Sequence, residues 1–131
     1  MRKGFTLLEL IVVIIILGIL ASVGFGQYAR MVEKGRSAEA KVVLGQLRSA
    51  QAAYWQEWGT YSANIGSLIV SAPTDCQTTH FFQYSTSGSA AGICRAIRCT
   101  AGGKAPPVVA ASVYSLTLNH LGSWGGTAGF F

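Results

Sequence analysis

The sequence predicts an α+β protein in which one long N-terminal α-helix carries a small antiparallel β-sheet of three or four strands on its C-terminal half. Three observations support this fold class. Residues 7–23 are apolar apart from Glu9 and Ser22, helical spacing continues as far as Trp58, and short strand-like runs occupy the rest of the chain. At 131 residues, the chain is long enough for one domain.

The first element is an apolar helix whose length meets the minimum for a membrane span. Arg2 and Lys3 precede it, so the positive-inside rule places Met1 in the cytoplasm and the residues after Phe25 outside. A cleaved secretory signal is the alternative, but Glu9 would interrupt its apolar core and no good small-x-small cleavage site follows. An uncleaved anchor leaves Glu9 unexplained.

The helix is expected to continue beyond the membrane, because the polar segment from residue 30 keeps helical spacing. Glu33 with Arg36, and Arg36 with Glu39, are spaced for ion pairs on the outer face. Gly59 is a stop signal, and a helix from Phe5 to Trp58 would be about 80 Å long. One apolar stripe is predicted to lie under the sheet: Val43, Leu47, Ala50, Tyr54 and Trp58.

Gly24 and Gly26 lie where the apolar run ends. Glycine weakens a helix interior by about 1 kcal/mol relative to alanine, so this is the expected place for the helix to bend or melt. The alternative is that these glycines, with Gly18, allow close helix packing in lipid. The two roles are compatible.

Residues 59–80 read as a connecting loop with one short apolar patch, and three strand-like runs follow. The runs are HFFQYST, ICRAIRCT and VYSLTL, with a fourth candidate at GSWGG. The segments SGSAAG and AGGKAPP between them are loop material. The aromatic residues are predicted to lie mainly in the core: Tyr54, Trp55, Trp58, Phe81, Phe82, Tyr84 and Trp124.

The N-terminal block RKGFTLLEL closely resembles the class III signal of type IV pilins and type II secretion pseudopilins. In that family a short basic leader ends in glycine, a dedicated inner-membrane peptidase cuts after it, and the new N-terminal residue is methylated. The resemblance implies cleavage between Gly4 and Phe5, N-methylation of Phe5, and a family glutamate at Glu9. It covers about the first fifth of the chain.

The resemblance also implies a partner for Glu9. In the family's filaments the glutamate of one subunit is thought to approach the N-terminal amine of a neighbour. A buried charge is tolerated when it is paired, so Glu9 is expected to favour one stagger between subunits. Many family members have proline where this chain has Gly26, which is a departure from the common pattern.

The resemblance, together with the residue patterns, predicts five segments and a lollipop shape. They are a leader (1–4), a hydrophobic transmembrane and polymerisation helix (5–28), an amphipathic helix half (29–58), a connecting loop (59–80), and the sheet with the C-terminal region (81–131).

The chain has three cysteines, and an exported location favours a disulfide. Sequence alone leaves three pairings open. If HFFQYS and ICRAIRCT form a hairpin, Cys76 lies nearer the end that carries Cys99, which favours Cys76 with Cys99 and leaves Cys94 as a buried thiol or an intersubunit partner. A zinc site from these cysteines and His80 is disfavoured, since neither spacing is the usual C-x-x-C knuckle. No metal and no cofactor are expected.

An enzymatic role is disfavoured because Asp75 is the only acidic residue after Glu57, so no paired carboxylates are available for acid/base chemistry. No nucleophile elbow is present either. By resemblance, major pseudopilins hold calcium in an acidic C-terminal loop. Residues 101–131 contain no carboxylate side chain, which favours a pilin over the major pseudopilin.

The expected function is that of a structural pilin subunit. It would be inserted in the bacterial inner membrane, processed by a prepilin peptidase and methylase, and polymerised with itself by the inner-membrane assembly machinery into a surface filament. The alternatives are a type II secretion pseudopilin and a minor or DNA-uptake pilin acting as a binding module. Adhesion, motility, DNA uptake and secretion are not distinguished.

DNA binding is possible but not indicated. Removal of Arg2 and Lys3 with the leader lowers the net side-chain charge from +5 to +3. The remaining charge is spread along the helix and around Arg95, Arg98 and Lys104, a dispersed pattern that is more typical of a solvated surface.

Overall fold

The computed structural model describes residues 4–100 and 113–129, and these residues form the predicted α+β fold. Its elements are α1 (Leu7–Trp58), a 3-10 turn (Ile65–Ser67), β1 (Phe82–Thr86), β2 (Cys94–Arg98), β3 (Ser115–Leu118) and β4 (Trp124–Gly126). All four predicted strands are therefore confirmed. Arg2, Lys3, Lys104 and the predicted loop AGGKAPP lie outside the described residues.

Helix α1 is long and apolar enough, by length and composition, for its N-terminal half to cross a membrane. It ends as predicted at Gly59, which adopts the left-handed conformation with φ 69° and donates its N–H to the Trp55 carbonyl at 2.8 Å. The helix is continuous through Gly24 and Gly26. Bending or melting at these glycines stays a prediction.

The two halves of α1 differ in burial. Every side chain before Ala29 in the described part of the helix is exposed, whereas the second half buries Ala40, Leu44 and Leu47 against the sheet. Placing Trp58 on this buried stripe was wrong, because its side chain is 63% exposed. The reason is that the loop after the helix packs over Gln51, two turns before the end of the helix, and leaves the last turn uncovered.

Gln51 is buried and binds the backbone of Ser62 twice. The side chain of Gln51 donates to the Ser62 carbonyl at 2.6 Å and accepts its N–H at 2.8 Å. The polypeptide therefore turns back toward the sheet before it can cover the last turn of the helix.

The sheet is an antiparallel meander with strand order β1-β2-β3-β4. One register row runs across it through Tyr84, Ala96, Leu116 and Gly126. The first three of these side chains are buried in the same apolar cluster as Leu44 and Leu47 of the helix. Alternation along β1, β2 and β3 thus directs one face of the sheet onto α1.

One disulfide ties the loop after α1 to the end of β2. The Sγ atoms of Cys76 and Cys99 are 2.07 Å apart, and this is the pair that the hairpin reasoning favoured. Cys94 is a buried free thiol. Its burial raises its pKa to about 11, so the thiol is protonated at neutral pH.

Gly126 is required where β4 approaches β3. Its φ is 122°, and a Cβ there would lie 2.1 Å from the Ser115 carbonyl oxygen. We expect Gly126→Ala to lower the free energy of unfolding by about 1–3 kcal/mol, measured by thermal unfolding of the full chain in detergent. Gly129→Ala is the control, because Gly129 also has a positive φ, of 93°, but open space around it. Equal losses in the two variants would contradict the steric explanation.

Candidate assembly site

The predicted assembly residues lie at the start of α1, where Thr6 and Glu9 form a capping box. The Thr6 hydroxyl oxygen accepts the Glu9 N–H at 3.3 Å. The Glu9 Oε2 atom accepts the Thr6 backbone N–H at 3.0 Å and the Thr6 hydroxyl at 2.6 Å. Two unpaired donors at the helix start are thereby satisfied. Thr6 was missed in the sequence analysis, although the T-x-x-E spacing is a known signal.

The capping box leaves one oxygen of Glu9 available. Oε1 makes no hydrogen bond within residues 4–100 and 113–129. Gly4 and Phe5 precede the helix in extended or irregular backbone, and the Phe5 side chain is 84% exposed. The predicted cleavage point between Gly4 and Phe5 is therefore close to Glu9 in the chain, and all three residues are exposed to solvent.

The surface beyond the cap is apolar and uncovered. All large hydrophobic side chains from Leu7 to Phe25 are exposed, and the least exposed, Ile11, is still 43% accessible. Contiguous apolar surfaces of this extent are rare on soluble monomers and mark sites of protein or membrane contact.

A second polar site joins the helix to the sheet. Glu33 is only 4% exposed, so its predicted position on the outer face was wrong. Its Oε1 accepts the Arg98 Nε–H at 2.5 Å and the Tyr114 hydroxyl at 2.9 Å, while Oε2 accepts Arg36 Nη1–H at 3.1 Å. The pairing of Arg36 with Glu33 is therefore confirmed, but it closes the edge of a buried cluster.

Arg98 is buried as well, which corrects its assignment to the dispersed surface charge. Its Nη1 donates to the carbonyls of Phe81 and Cys99 at 3.2 and 2.5 Å, and its guanidinium carbon is 5.0 Å from the centre of the Phe81 ring. The charge is compensated on several sides, as a buried ion pair requires. No short motif could have revealed this cluster, because its members are far apart in sequence.

The cluster shifts the titration of its members. Burial alone would raise the pKa of Glu33, but the hydrogen bonds from Arg98 and Tyr114 and the charges of Arg98 and Arg36 outweigh it and leave this pKa below its ordinary value. Burial, and then the hydrogen bond to Glu33, raise the pKa of Tyr114. At neutral pH the cluster therefore contains an ionised carboxylate and a neutral phenol.

The aromatic residues divide between core and surface. Phe82 and Tyr84 are buried as predicted, but the three tryptophans are not core residues: Trp55, Trp58 and Trp124 are 49%, 63% and 42% exposed. The apolar cluster between helix and sheet is filled by smaller side chains, so these large rings remain at its edge.

The residues considered for a zinc site are separated by other bonds. Cys76 and Cys99 are joined to each other, and His80 Nε2 lies 2.6 Å from the Asp75 carbonyl oxygen. Within the described part of the chain, no three His, Cys, Asp or Glu side chains are grouped closely enough to hold a metal ion.

The uncovered apolar helix and the small disulfide-linked sheet place the protein in the class that buries an N-terminal helix in a membrane or in contacts with other proteins. Comparison with known proteins is consistent with this class. Residues 1–25 match the family model described as the prokaryotic N-terminal methylation motif. The match includes Gly4, Phe5 and Glu9.

Relatives match a longer part of the chain. It is 30% identical over 88 residues to fimbrial protein EcpC of Eikenella corrodens, covering 67% of this chain and 58% of the relative. It is 36% identical over 75 residues to a fimbrial protein of Neisseria meningitidis (57% and 44%). It is 37% identical over 61 residues to the type IV major pilin protein PilA of Myxococcus xanthus (47% and 28%).

The chain thus spans about half the length, or less, of the relatives it matches. The motif, the fold and these relatives together support the type IV pilin family for this chain.

Proposed function

We propose that the chain is the structural subunit of a type IV pilus-like filament and polymerises through the first half of α1. The observation that carries this proposal is that all side chains from Gly4 to Tyr28 are exposed, although residues 7–23 are almost entirely apolar. Lipid covers this surface before assembly and the helices of neighbouring subunits cover it afterwards. The apolar surface therefore never faces water.

Processing precedes assembly in this proposal. A prepilin peptidase and methylase cuts between Gly4 and Phe5 and methylates the new amine of Phe5. Support comes from the methylation motif at residues 1–25 and from the exposed, non-helical backbone at Gly4 and Phe5. Cleavage here leaves the Thr6 cap intact, so the helix start is already formed in the mature subunit.

Glu9 then pairs with the amine of a neighbouring subunit. Its Oε2 remains bound to Thr6, and its Oε1 accepts the hydrogen of the methylated Phe5 amine of the next chain. Each of the two oxygens thus has its own role, one in the helix cap and one in the contact between subunits. An unpaired carboxylate in the apolar filament interior would be costly, so only the stagger that makes this contact is stable.

The proposed location follows from these steps. The precursor lies in the bacterial inner membrane with its N-terminus in the cytoplasm, and the inner-membrane assembly machinery transfers it to a homopolymer on the cell surface. We propose no catalytic role. The pseudopilin and DNA-uptake alternatives are not favoured, since the relatives are named fimbrial proteins and major pilins.

The proposal is tested by the intact mass and N-terminal sequence of the chain in sheared, membrane-free surface material. We expect a chain that starts at N-methylated Phe5 and is lighter than its reduced form by the hydrogens lost in one disulfide. As a control, Gly4→Leu places a bulky side chain at the cut and is expected to leave the precursor in membranes. A wild-type chain that retains Met1 and occurs only in membranes would overturn the proposal.

A further inference from the structure

A cleft of about 660 Å³ opens at the C-terminal end of α1. It lies where the end of the helix meets the β1–β2 connection and the β3–β4 turn. Three aromatic side chains line it: Trp55, Tyr61 and His120. The volume falls within the range of small-molecule sites, about 300–1,000 Å³, and the cleft plays no part in the proposed assembly through the N-terminal helix.

The three rings lie in one aromatic row, with Trp55 stacked on Tyr61 and Tyr61 tilted against His120. The ring centres of Trp55 and Tyr61 are 6.4 Å apart with 26° between their planes, and those of Tyr61 and His120 are 5.6 Å apart with 36°. Trp55 is 49% exposed at the outer end. The aromatic row therefore presents the ring of Trp55 to solvent, and this ring is not part of the apolar core.

Backbone contacts hold this aromatic row in place. Gly92 has φ 50°, and a Cβ there would lie 3.0 Å from atoms of the Tyr61 ring, so the ring lies close against the glycine. His120 is held from two sides, since its Nδ1 lies 2.8 Å from the Ala91 carbonyl oxygen and its own carbonyl accepts the Arg48 Nε–H at 3.1 Å. The cleft is thus formed before a ligand arrives, which lowers the entropic cost of binding.

Polar groups complete the cleft. A carbonyl oxygen only accepts hydrogen bonds, so Nδ1 of His120 carries the proton and Nε2 is an acceptor in the neutral ring. The hydroxyls of Thr60 and Tyr61 make no hydrogen bond with any residue that the structure describes. No Asp, Glu, Lys or Arg side chain lines the cleft. The site therefore suits an uncharged ligand with an apolar face and several hydroxyl groups.

We propose that this cleft binds one pyranose ring of an uncharged saccharide. The C–H face of the sugar packs on the exposed ring of Trp55, as aromatic rings pack on apolar surfaces generally. A sugar hydroxyl donates to Nε2 of His120, and others exchange hydrogen bonds with the Thr60 hydroxyl. A nucleobase would also stack, but its strand brings phosphates and no basic side chain lines the cleft. The proposal does not depend on polymerisation.

The test is saturation-transfer NMR and titration of the full chain in micelles of a detergent without a sugar head group. The probes are chitotriose and maltotriose, which distinguish an amino sugar from a glucose polymer. We expect at least one to bind, and Trp55→Ala to weaken its binding at least tenfold. Trp58→Ala is the matched control, because Trp58 is 63% exposed on the same helix but lies outside the cleft.

A second variant guards against misfolding. Thr60→Val changes only an exposed hydroxyl and is expected to weaken the same saccharide several-fold without altering thermal unfolding. Three results would overturn the proposal. They are no binding of either saccharide by the wild-type chain, equal binding by the Trp55→Ala and Trp58→Ala variants, or Trp55-dependent binding of an oligothymidylate without saccharide binding, which would assign the cleft to single-stranded DNA.

Discussion

Replacing Arg98 with methionine is expected to lower the free energy of unfolding by about 3–5 kcal/mol, because it leaves the carboxylate of Glu33 buried without its main partner. The two side chains are 0% and 5% exposed and their closest N–O distance is 2.5 Å. Thermal and urea unfolding of the full chain in detergent measure the loss. Most of it reflects the cost of an uncompensated buried charge rather than the strength of the pair.

Two further variants separate these contributions. Glu33→Gln keeps the size of the side chain but removes the carboxylate charge that Arg98 faces, so it is expected to cost a similar amount. Combining it with Arg98→Met removes both charges, and we expect the double variant to lose clearly less than the two single variants together. Strict additivity would contradict a coupled pair.

Arg36→Met is the control for the same carboxylate. The Arg36 side chain is 29% exposed, and an ion pair open to water contributes about 1 kcal/mol or less. A loss as large as that of Arg98→Met would mean that burial of the partner is not the decisive factor.

The cluster also predicts the response to acid. The folded-state pKa of Glu33 is lowered, so the ionised carboxylate stabilises the fold fully above its unfolded-state value of about 4.3. This contribution is lost as the pH falls from there through the lower folded-state pKa. Between neutral pH and strong acid, the melting temperature of the wild type should therefore fall further than that of the Glu33→Gln variant.

Glu9→Gln is expected to reduce filament yield as severely as Glu9→Ala. Glutamine retains the capping geometry, since Gln serves at this position of a capping box, but it cannot form an ion pair with the amine of a neighbouring Phe5. Loss of one partner from a buried charge pair costs about 3–5 kcal/mol, which corresponds to roughly 100-fold or more in each subunit contact. Yield is measured as subunit mass in sheared surface material.

Thr6→Val is the matched control for the cap. It removes the hydroxyl that bonds to both the backbone N–H and the carboxylate of Glu9, but it leaves the carboxylate itself in place. Loss of an N-cap costs about 1 kcal/mol of stability. Filaments should still form. Normal filaments from Glu9→Gln together with none from Glu9→Ala would show that Glu9 acts only as a helix cap.

Local patterns accounted for most of the secondary structure. The helical spacing up to Trp58, the stop at Gly59 and the strand-like runs depend on neighbouring residues, because the periods of helices and strands are properties of short segments. The motif RKGFTLLEL is also local, and it is the basis for predicting that Gly4, Phe5 and Glu9 take part in processing and assembly.

The orientation of side chains between distant segments was decided by the tertiary structure. Glu33 looked like one member of an exposed i,i+3 pair, yet it faces partners 65 and 81 residues away. Trp55 looked like a core residue but forms the outer ring of the cleft. Helical spacing determines which residues share a face, but only the register of the sheet against the helix decides which face is buried and which distant groups meet there.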